Sequence, residues 1–283
     1  MNAVMGAESG CPMCHGEALI VARKAGNATA GWCACLPQPC GLCQGTGFVM
    51  TGDGREAPVR KCDCQQLLSR MRRFNEAGVP ARHAGSTRLS FKPTNRAQSA
   101  VLAKVSAWVR DFQAGQPCRG LVLHGDVGLG KTHLMVALLR EVILNKGATG
   151  KFMEFSHLLA DIKSGFEAGH GQSRLMDPLM GVQLLAFDEL GKGRNTSFEE
   201  TVLDELISRR YNADLPIVCT TNYAPGPSTG RAVGNAADVD AHGKVRHRPA
   251  LVDRVGARVY SRLREMCDFI GVTGEDYRER SRS

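Results

Sequence analysis

No apolar run in the 283 residues approaches the roughly 18 to 20 that a membrane-crossing helix needs. A helical membrane span is therefore not expected. Met1 to Gly10 lacks the basic start and apolar stretch of a secretory leader, so the expected compartment is the cytoplasm. The chain also lacks a strong charge of either sign: Lys and Arg number 36, Asp and Glu 28, a formal net charge of +8. Hydrophobic residues make up 43 %, which excludes global disorder and leaves room for one large domain or two modest ones. Cysteine, by contrast, is not scarce. Eleven cysteines in a compartment where disulfides are unusual point to metal binding or catalysis.

Cysteine and charge divide the chain in the same places. Residues 1–64 hold eight of the cysteines and no net charge; residues 65–118 carry +7; residues 119–283 carry +1. We read a cysteine-rich head (1–64), a basic helical connector (65–118) and a nearly neutral body (119–283).

The head is an internal repeat. Cys11, Cys14, Cys33 and Cys35 recur 29 positions later as Cys40, Cys43, Cys62 and Cys64, and Gly16 recurs as Gly45. Each copy supplies the four thiolates of a tetrahedral structural Zn²⁺, so two zinc ions are expected. In a segment too small to bury much core, metal replaces core as the stabiliser. Each repeat can close its own site, or the outer and inner pairs can combine. Because every ligand is cysteine, no coordination position is left open for catalysis. The head is read as structural and partner-binding. Its zinc-bound thiolates would make it acidic, so nucleic-acid contact is expected beyond residue 64.

In the connector, Gln65 to Gly78 predicts a helix with Leu67, Met71 and Phe74 on one face and Arg70, Arg72 and Arg73 on the other. Asn95 to Ala114 predicts a second, with Val101, Val105, Trp108 and Phe112 in the core. The arginine surplus suits nucleic-acid phosphates, an acidic partner or plain solvent.

The body opens with a strand-like run, Leu121 to His124. Gly125-Asp126-Val127-Gly128-Leu129-Gly130-Lys131-Thr132 follows, then a helix-like His133 to Asn145. This is the complete phosphate-loop pattern in its strand–loop–helix context. Its glycines let consecutive N–H groups face one anion, and the helix N-terminus adds its dipole. Lys131 reaches the β- and γ-phosphates, and Thr132 ligates Mg²⁺. A second strand, Val182 to Phe187, delivers Asp188 for Mg²⁺ and Glu189 as general base. A third, Pro216 to Thr220, leads to Asn222, placed to hold the attacking water. Leu251 to Leu263 predicts one helix with Arg254, Arg258 and Arg262 roughly on one face. Arg262, with Arg258 as its substitute, is placed to reach a neighbouring subunit's nucleotide. For the adenine, the sequence offers only the stretch around Ser90 and Phe91.

With these residues in place, the chain from about Arg70 onward resembles the AAA+ ATPases of the DnaC helicase-loader and IstB transposition-helper group. The carriers are Ala77 to Arg82, Gly125 to His133, Asp188 to Gly191, Ser208 to Tyr211, Thr220 to Tyr223, and Arg254 through Arg262. The resemblance implies an α/β P-loop NTPase, a parallel sheet flanked by helices, preceded by a small zinc-stabilised domain. It also implies ATP hydrolysis used as a switch, self-association with the arginine finger acting in trans, binding of single-stranded DNA, and delivery of a replicative hexameric helicase through the head. The region after Glu189 would touch DNA through Lys192, Arg194 and Phe198, although Ser197 to Glu200 also fits a capping box. Arg278 would be a last nucleotide-sensing arginine. The long stretch from Tyr223 to Pro249 departs from the family, and its basic part, Lys244, Arg246, His247 and Arg248, would add DNA affinity. A transposition helper is the alternative reading, and a zinc-containing remodelling chaperone a more distant one.

Overall fold

The structure, a computed structural model, describes residues 10–36, 40–52, 57–167, 173–226 and 249–277. Lys244, Arg246, His247, Arg248 and Arg278 lie outside the described residues.

The two cysteine repeats fold alike. Each has a turn around its CxxC pair, then an antiparallel hairpin: β1 (Leu19–Lys24) with β2 (Asn27–Trp32), and β3 (Phe48–Met50) with β4 (Val59–Lys61). The turns match residue for residue. His15 and Gly16 have φ of 49° and 83°, Gln44 and Gly45 of 51° and 87°. The glycine shared by the repeats thus sits where a left-handed backbone favours it.

The head is stitched to the connector. Helix α1 (Asp63–Glu76) begins between the last two cysteines and buries Leu67, Met71 and Phe74. From its last turn, Asn75 accepts the N–H of Ala30 on β2 (2.7 Å) and donates to the Ala30 carbonyl (3.2 Å). Beyond the helix, Val79 O accepts from Ala28 N (2.8 Å), and Pro80 bridges to Asn27 beside the hairpin turn. The first hairpin, α1 and the inner face of the body share one continuous core. Helix α2 (Arg96–Asp111) is N-capped by Asn95, whose Oδ1 accepts from Gln98 N at 2.8 Å. Val109 takes the fully buried place predicted for Trp108. Trp108 is half-buried so that its indole N–H can reach Arg119 O (2.7 Å).

The body is a parallel sheet ordered β6-β7-β8-β5-β9, from β5 (Gly120–His124), β6 (Gly150–Glu154), β7 (Leu184–Asp188), β8 (Ile217–Thr221) and β9 (Cys267–Gly271). Alternation sorts the two faces. Leu121, Leu123, Leu184, Ala186 and Val218 pack toward α1, α2 and α3 (Lys131–Leu144). Val122, Leu185, Phe187, Ile217 and Cys219 pack toward α4 (Phe155–Glu167), α5 (Ser173–Met180), α6 (Ser197–Asn212), α7 (Leu251–Val255) and α8 (Ala257–Met266). Arg210 on α6 is fully buried, yet its guanidinium donates to the carbonyls of Leu179 (2.5 Å), Val182 (3.2 Å) and Pro216 (2.7 Å). It ties the end of α5 to the start of β8, with its charge beside the helix's negative end.

The helix predicted over Leu251 to Leu263 is two helices. Gly256 adopts φ +78°, ψ 154° between them and turns the chain. Arg254 therefore parts from Arg258 and Arg262.

Candidate nucleotide site

The β order places the phosphate loop at the carboxyl end of β5, where the strand order reverses between β8 and β9. Lys131 is 7 % exposed and folds its ammonium onto the carbonyls of Gly125 (2.9 Å) and Asp126 (2.6 Å). Gly128 has φ +81°, and a Cβ there would lie 2.0 Å from the Asp276 carboxyl, which sits against the loop. Residues from Val127 to His133 line a cavity of about 390 Å³. Gly125 and Asp126 do not line it, Leu129 sends its side chain into the core, and His133 donates from Nε2 to Thr87 O (2.9 Å). Burial holds the His133 pKa below its ordinary value.

On the opposite wall, Asp188 ends β7. Its Oδ1 accepts from Thr132 Oγ1 at 2.9 Å and from the Thr220 hydroxyl of β8. The Thr220 oxygen in turn accepts the N–H of Glu189 at 3.1 Å. Thr220 was not anticipated as a site residue. The sequence shows only a polar residue ending an apolar strand, and the neighbour it serves is set by sheet order. Burial raises the Asp188 pKa, opposed by the hydroxyls of Thr220 and Thr132. Thr132 and Asp188 together present a pair of hard oxygen donors that could hold Mg²⁺.

Glu189 has φ +57°, a left-handed backbone costly for a side-chain-bearing residue. The turn carries its carboxylate to the cavity rim, where the Lys192 ammonium meets it. Lys192 is thus ion-paired with the candidate base, not free for DNA alone. Glu154, opposite Asp188 in the β6–β7 register, adds a third carboxylate to the wall. It too was missed, because its strand, Gly-Lys-Phe-Met-Glu, lacks the unbroken apolar run that marks the strand before Asp188. Asn222 lines the cavity just beyond β8. Phe91 lies 5.6 Å ring to ring from Tyr277 and 5.9 Å from His133, and with Ser90, Arg82 and His83 it closes the far end. The Tyr277 hydroxyl donates to Lys92 O at 2.6 Å.

None of the three arginines lines this chain's own cavity. Arg262 meets Asp204 of α6 at 2.8 Å, and Arg258, 77 % exposed, reaches the same carboxylate at 3.7 Å. Arg254 instead pins the loop after β7, donating to Gly191 O (3.0 Å) and Gly193 O and lying 5.3 Å over Tyr223. That loop is held from its other side by the Glu199 carboxylate, which accepts from Arg194 N (3.2 Å) and Asn195 N (2.8 Å). Thr196, not Ser197, caps α6, so the capping pattern sits one residue earlier than predicted.

In the head the thiols gather by repeat: Cys11, Cys14, Cys33 and Cys35 in one cluster, Cys40, Cys43, Cys62 and Cys64 in the other, all Sγ atoms within 4.8 Å of each other in each set. Contacts of 3.7, 3.4, 3.9 and 3.6 Å match the roughly 3.8 Å between thiolates on a tetrahedral zinc. They are far too long for disulfides. The N–H groups of Cys14 and Met13 draw the Cys11 thiol down to about 7, favouring the thiolate, whereas burial pushes the Cys62 and Cys64 thiols up. The residues therefore fit one zinc per repeat. Among the described residues, no helix is long and apolar enough to cross a membrane.

The chain is similar to the replicative helicase loader DnaC of Escherichia coli K12, 24 % identical over 158 residues covering 56 % of this chain and 63 % of that protein. It is also similar to an insertion-sequence ATP-binding protein of Mycobacterium tuberculosis, 29 % identical over 171 residues covering 60 % and 64 %. The chain thus spans under two thirds of the length of these curated relatives. Among solved structures, the DnaC helicase loader superposes with a TM-score of 0.56 at 24 % identity, over 68 % of this chain and 99 % of that one. AMPPCP-bound DnaA from Aquifex aeolicus gives 0.51 at 14 % identity, over 68 % and 52 %. These likenesses establish the AAA+ P-loop fold. The profile of the IstB-like ATP binding proteins matches residues 71–229, more than half the chain, and the protein belongs to that ATP-binding family.

Proposed function

We propose that this protein is an ATP-controlled helicase loader, an ATPase that binds single-stranded DNA and delivers a hexameric replicative helicase held by its zinc head. The observation that carries the enzymatic part is the Thr132–Asp188–Thr220 cluster facing the phosphate loop, with Glu189 beside it. The loop N–H groups and Lys131 would cradle the phosphates. Mg²⁺ on Thr132 and Asp188 would offset phosphate charge. Glu189 takes the proton of the attacking water, and Asn222 holds that water in line. Arg262 or Arg258 of a neighbouring copy supplies positive charge to the leaving phosphates. The loader reading is supported by the superposition on almost the whole DnaC loader chain.

A transposition helper is the second reading, favoured by the family profile and the insertion-sequence relative. The deciding experiment offers the full-length, zinc-loaded protein both partners. A loader co-elutes with a hexameric helicase and places it on circular single-stranded DNA when ATP is present. Absence of helicase binding, together with ATP-dependent recruitment of a transposase to DNA, would overturn the loader assignment.

A further inference from the structure

A cavity of about 590 Å³ lies against α1 and shares no lining residue with the candidate nucleotide cavity. Its walls are the second zinc hairpin, the outer face of α1 and the turn at Gly147 after α3. Four cations line it, Lys61, Arg70, Arg72 and Arg73, and among the described residues no acidic side chain does. Such a concentration of like charge is unfavourable in itself and stores attraction for a polyanion.

Two of the four are held in place. Arg70 donates to Leu144 O (3.2 Å) and Arg73 to Gly147 O, both at the C-terminal end of α3. Each guanidinium has five donors, so these bonds fix its orientation and leave donors for a ligand. Arg60 is not part of the set, being paired with Asp63 at 3.0 Å. The groove also has an aromatic wall. Phe48 on β3 is 52 % exposed and stands directly across the ladder from Lys61 on β4. An exposed ring beside a cation, facing a row of guanidinium groups, is the arrangement that stacks an unpaired base while neutralising its phosphates.

We propose that this groove, shared by the second zinc knuckle and α1, binds single-stranded nucleic acid. The ring favours it over an acidic peptide, which would use the cations but not a stacking platform, and over duplex, whose bases present no free face. It places nucleic-acid contact inside the head, against the expectation that such contact begins beyond residue 64. The groove shares its partner class with the loader reading but none of the nucleotide-site residues.

The test is anisotropy of a labelled oligothymidylate with the full-length, zinc-loaded protein across a salt series. Wild type should bind with a strong salt dependence. Lys61→Glu with Arg72→Glu should weaken binding at least tenfold and reduce the slope of log K against log salt by about 0.7 for each phosphate no longer neutralised. Phe48→Ala should weaken binding about tenfold with the slope unchanged. All three positions are exposed, and unchanged zinc content and ATP binding would verify folding. No oligonucleotide binding by wild type, or wild-type affinity and slope in the double variant, would overturn the proposal. So would loss in the variants of polyglutamate binding alone, which would make the occupant an acidic protein. Helicase capture is read in the same samples: a wild type that captures no helicase, with oligonucleotide binding still dependent on these residues, fails the loader reading and leaves the groove standing.

Discussion

Lys192 closes an ion pair on Glu189 three residues before it, so the residue proposed as the general base is held by a cation from the exposed loop that follows β7. The carboxylate in turn keeps the Lys192 pKa above its ordinary value. A paired carboxylate is a weaker base, and a competing phosphate would release it. Lys192→Met should therefore raise basal ATP turnover by about threefold or more and flatten its stimulation by single-stranded DNA. Steady-state hydrolysis with and without oligonucleotide measures both; lower basal turnover would show that Lys192 assists Glu189.

Removing the base itself should separate binding from chemistry. Glu189→Gln is expected to retain nucleotide affinity while turnover falls by about 10² or more. Thr220→Val removes the hydroxyl that joins Asp188 to the Glu189 N–H, leaving the buried carboxylate with Thr132 and the half-buried N–H without its acceptor. It should lower both turnover and stability, the latter by about 1–3 kcal/mol. Glu189→Gln should leave the melting temperature nearly unchanged, and calorimetry beside the ATPase assay distinguishes the two outcomes.

Arginine assistance in trans has its own signature. Lys131→Ala lacks a working loop but keeps Arg258 and Arg262; a double alanine variant at those arginines keeps the loop. Each alone should be nearly inactive. Mixed subunits should recover a substantial part of the turnover, rising with total protein concentration. No recovery in assembled mixtures would remove both arginines from the finger role.

Metal content follows from the paired clusters. About two zinc ions per chain are expected by elemental analysis of protein prepared under reducing conditions. Because the first hairpin shares a core with the body, chelation should lower the thermal midpoint of the whole chain, by on the order of 5 °C or more. A transition unchanged by complete zinc removal would contradict that coupling.

The acid limb of stability should report His83. Burial, aided by the Arg82 charge, pushes its pKa down to about 4. In the unfolded chain a histidine titrates near about 6.5. Between these values the unfolded state carries the extra proton, so this contribution is intact above about 6.5 and is lost as pH falls through the window. His83→Gln should flatten the melting profile of the nucleotide-free protein between pH 4 and about 6.5. His124 and His133, lowered by the same cause, leave a residual slope of the same sign.

Much of this arrangement was legible because local pattern and global fold agree. The strands before Gly125, Asp188 and Asn222 are apolar runs ending in polar residues, and the repeat of cysteines marks the ligand set while leaving its grouping to the fold. What escaped the sequence depends on neighbours distant along the chain. Glu154 becomes a site residue only because β6 lies beside β7, and Thr220 only because β8 lies on the other side. The break at Gly256 turns on one backbone angle that a pattern of arginines at four-residue steps does not register. Lys192 looks like a free cation in sequence, and its partner is visible only once Glu189 has taken its left-handed turn.

Pro80 joins the head to the candidate nucleotide cavity. It bridges to Asn27 beside the turn of the first cysteine hairpin, and it also lines the candidate nucleotide cavity. The hairpin is a short lever whose fulcrum is part of the ATP chamber's own wall. Displacing the knuckle therefore means displacing a residue of the cavity wall, because the same proline belongs to both.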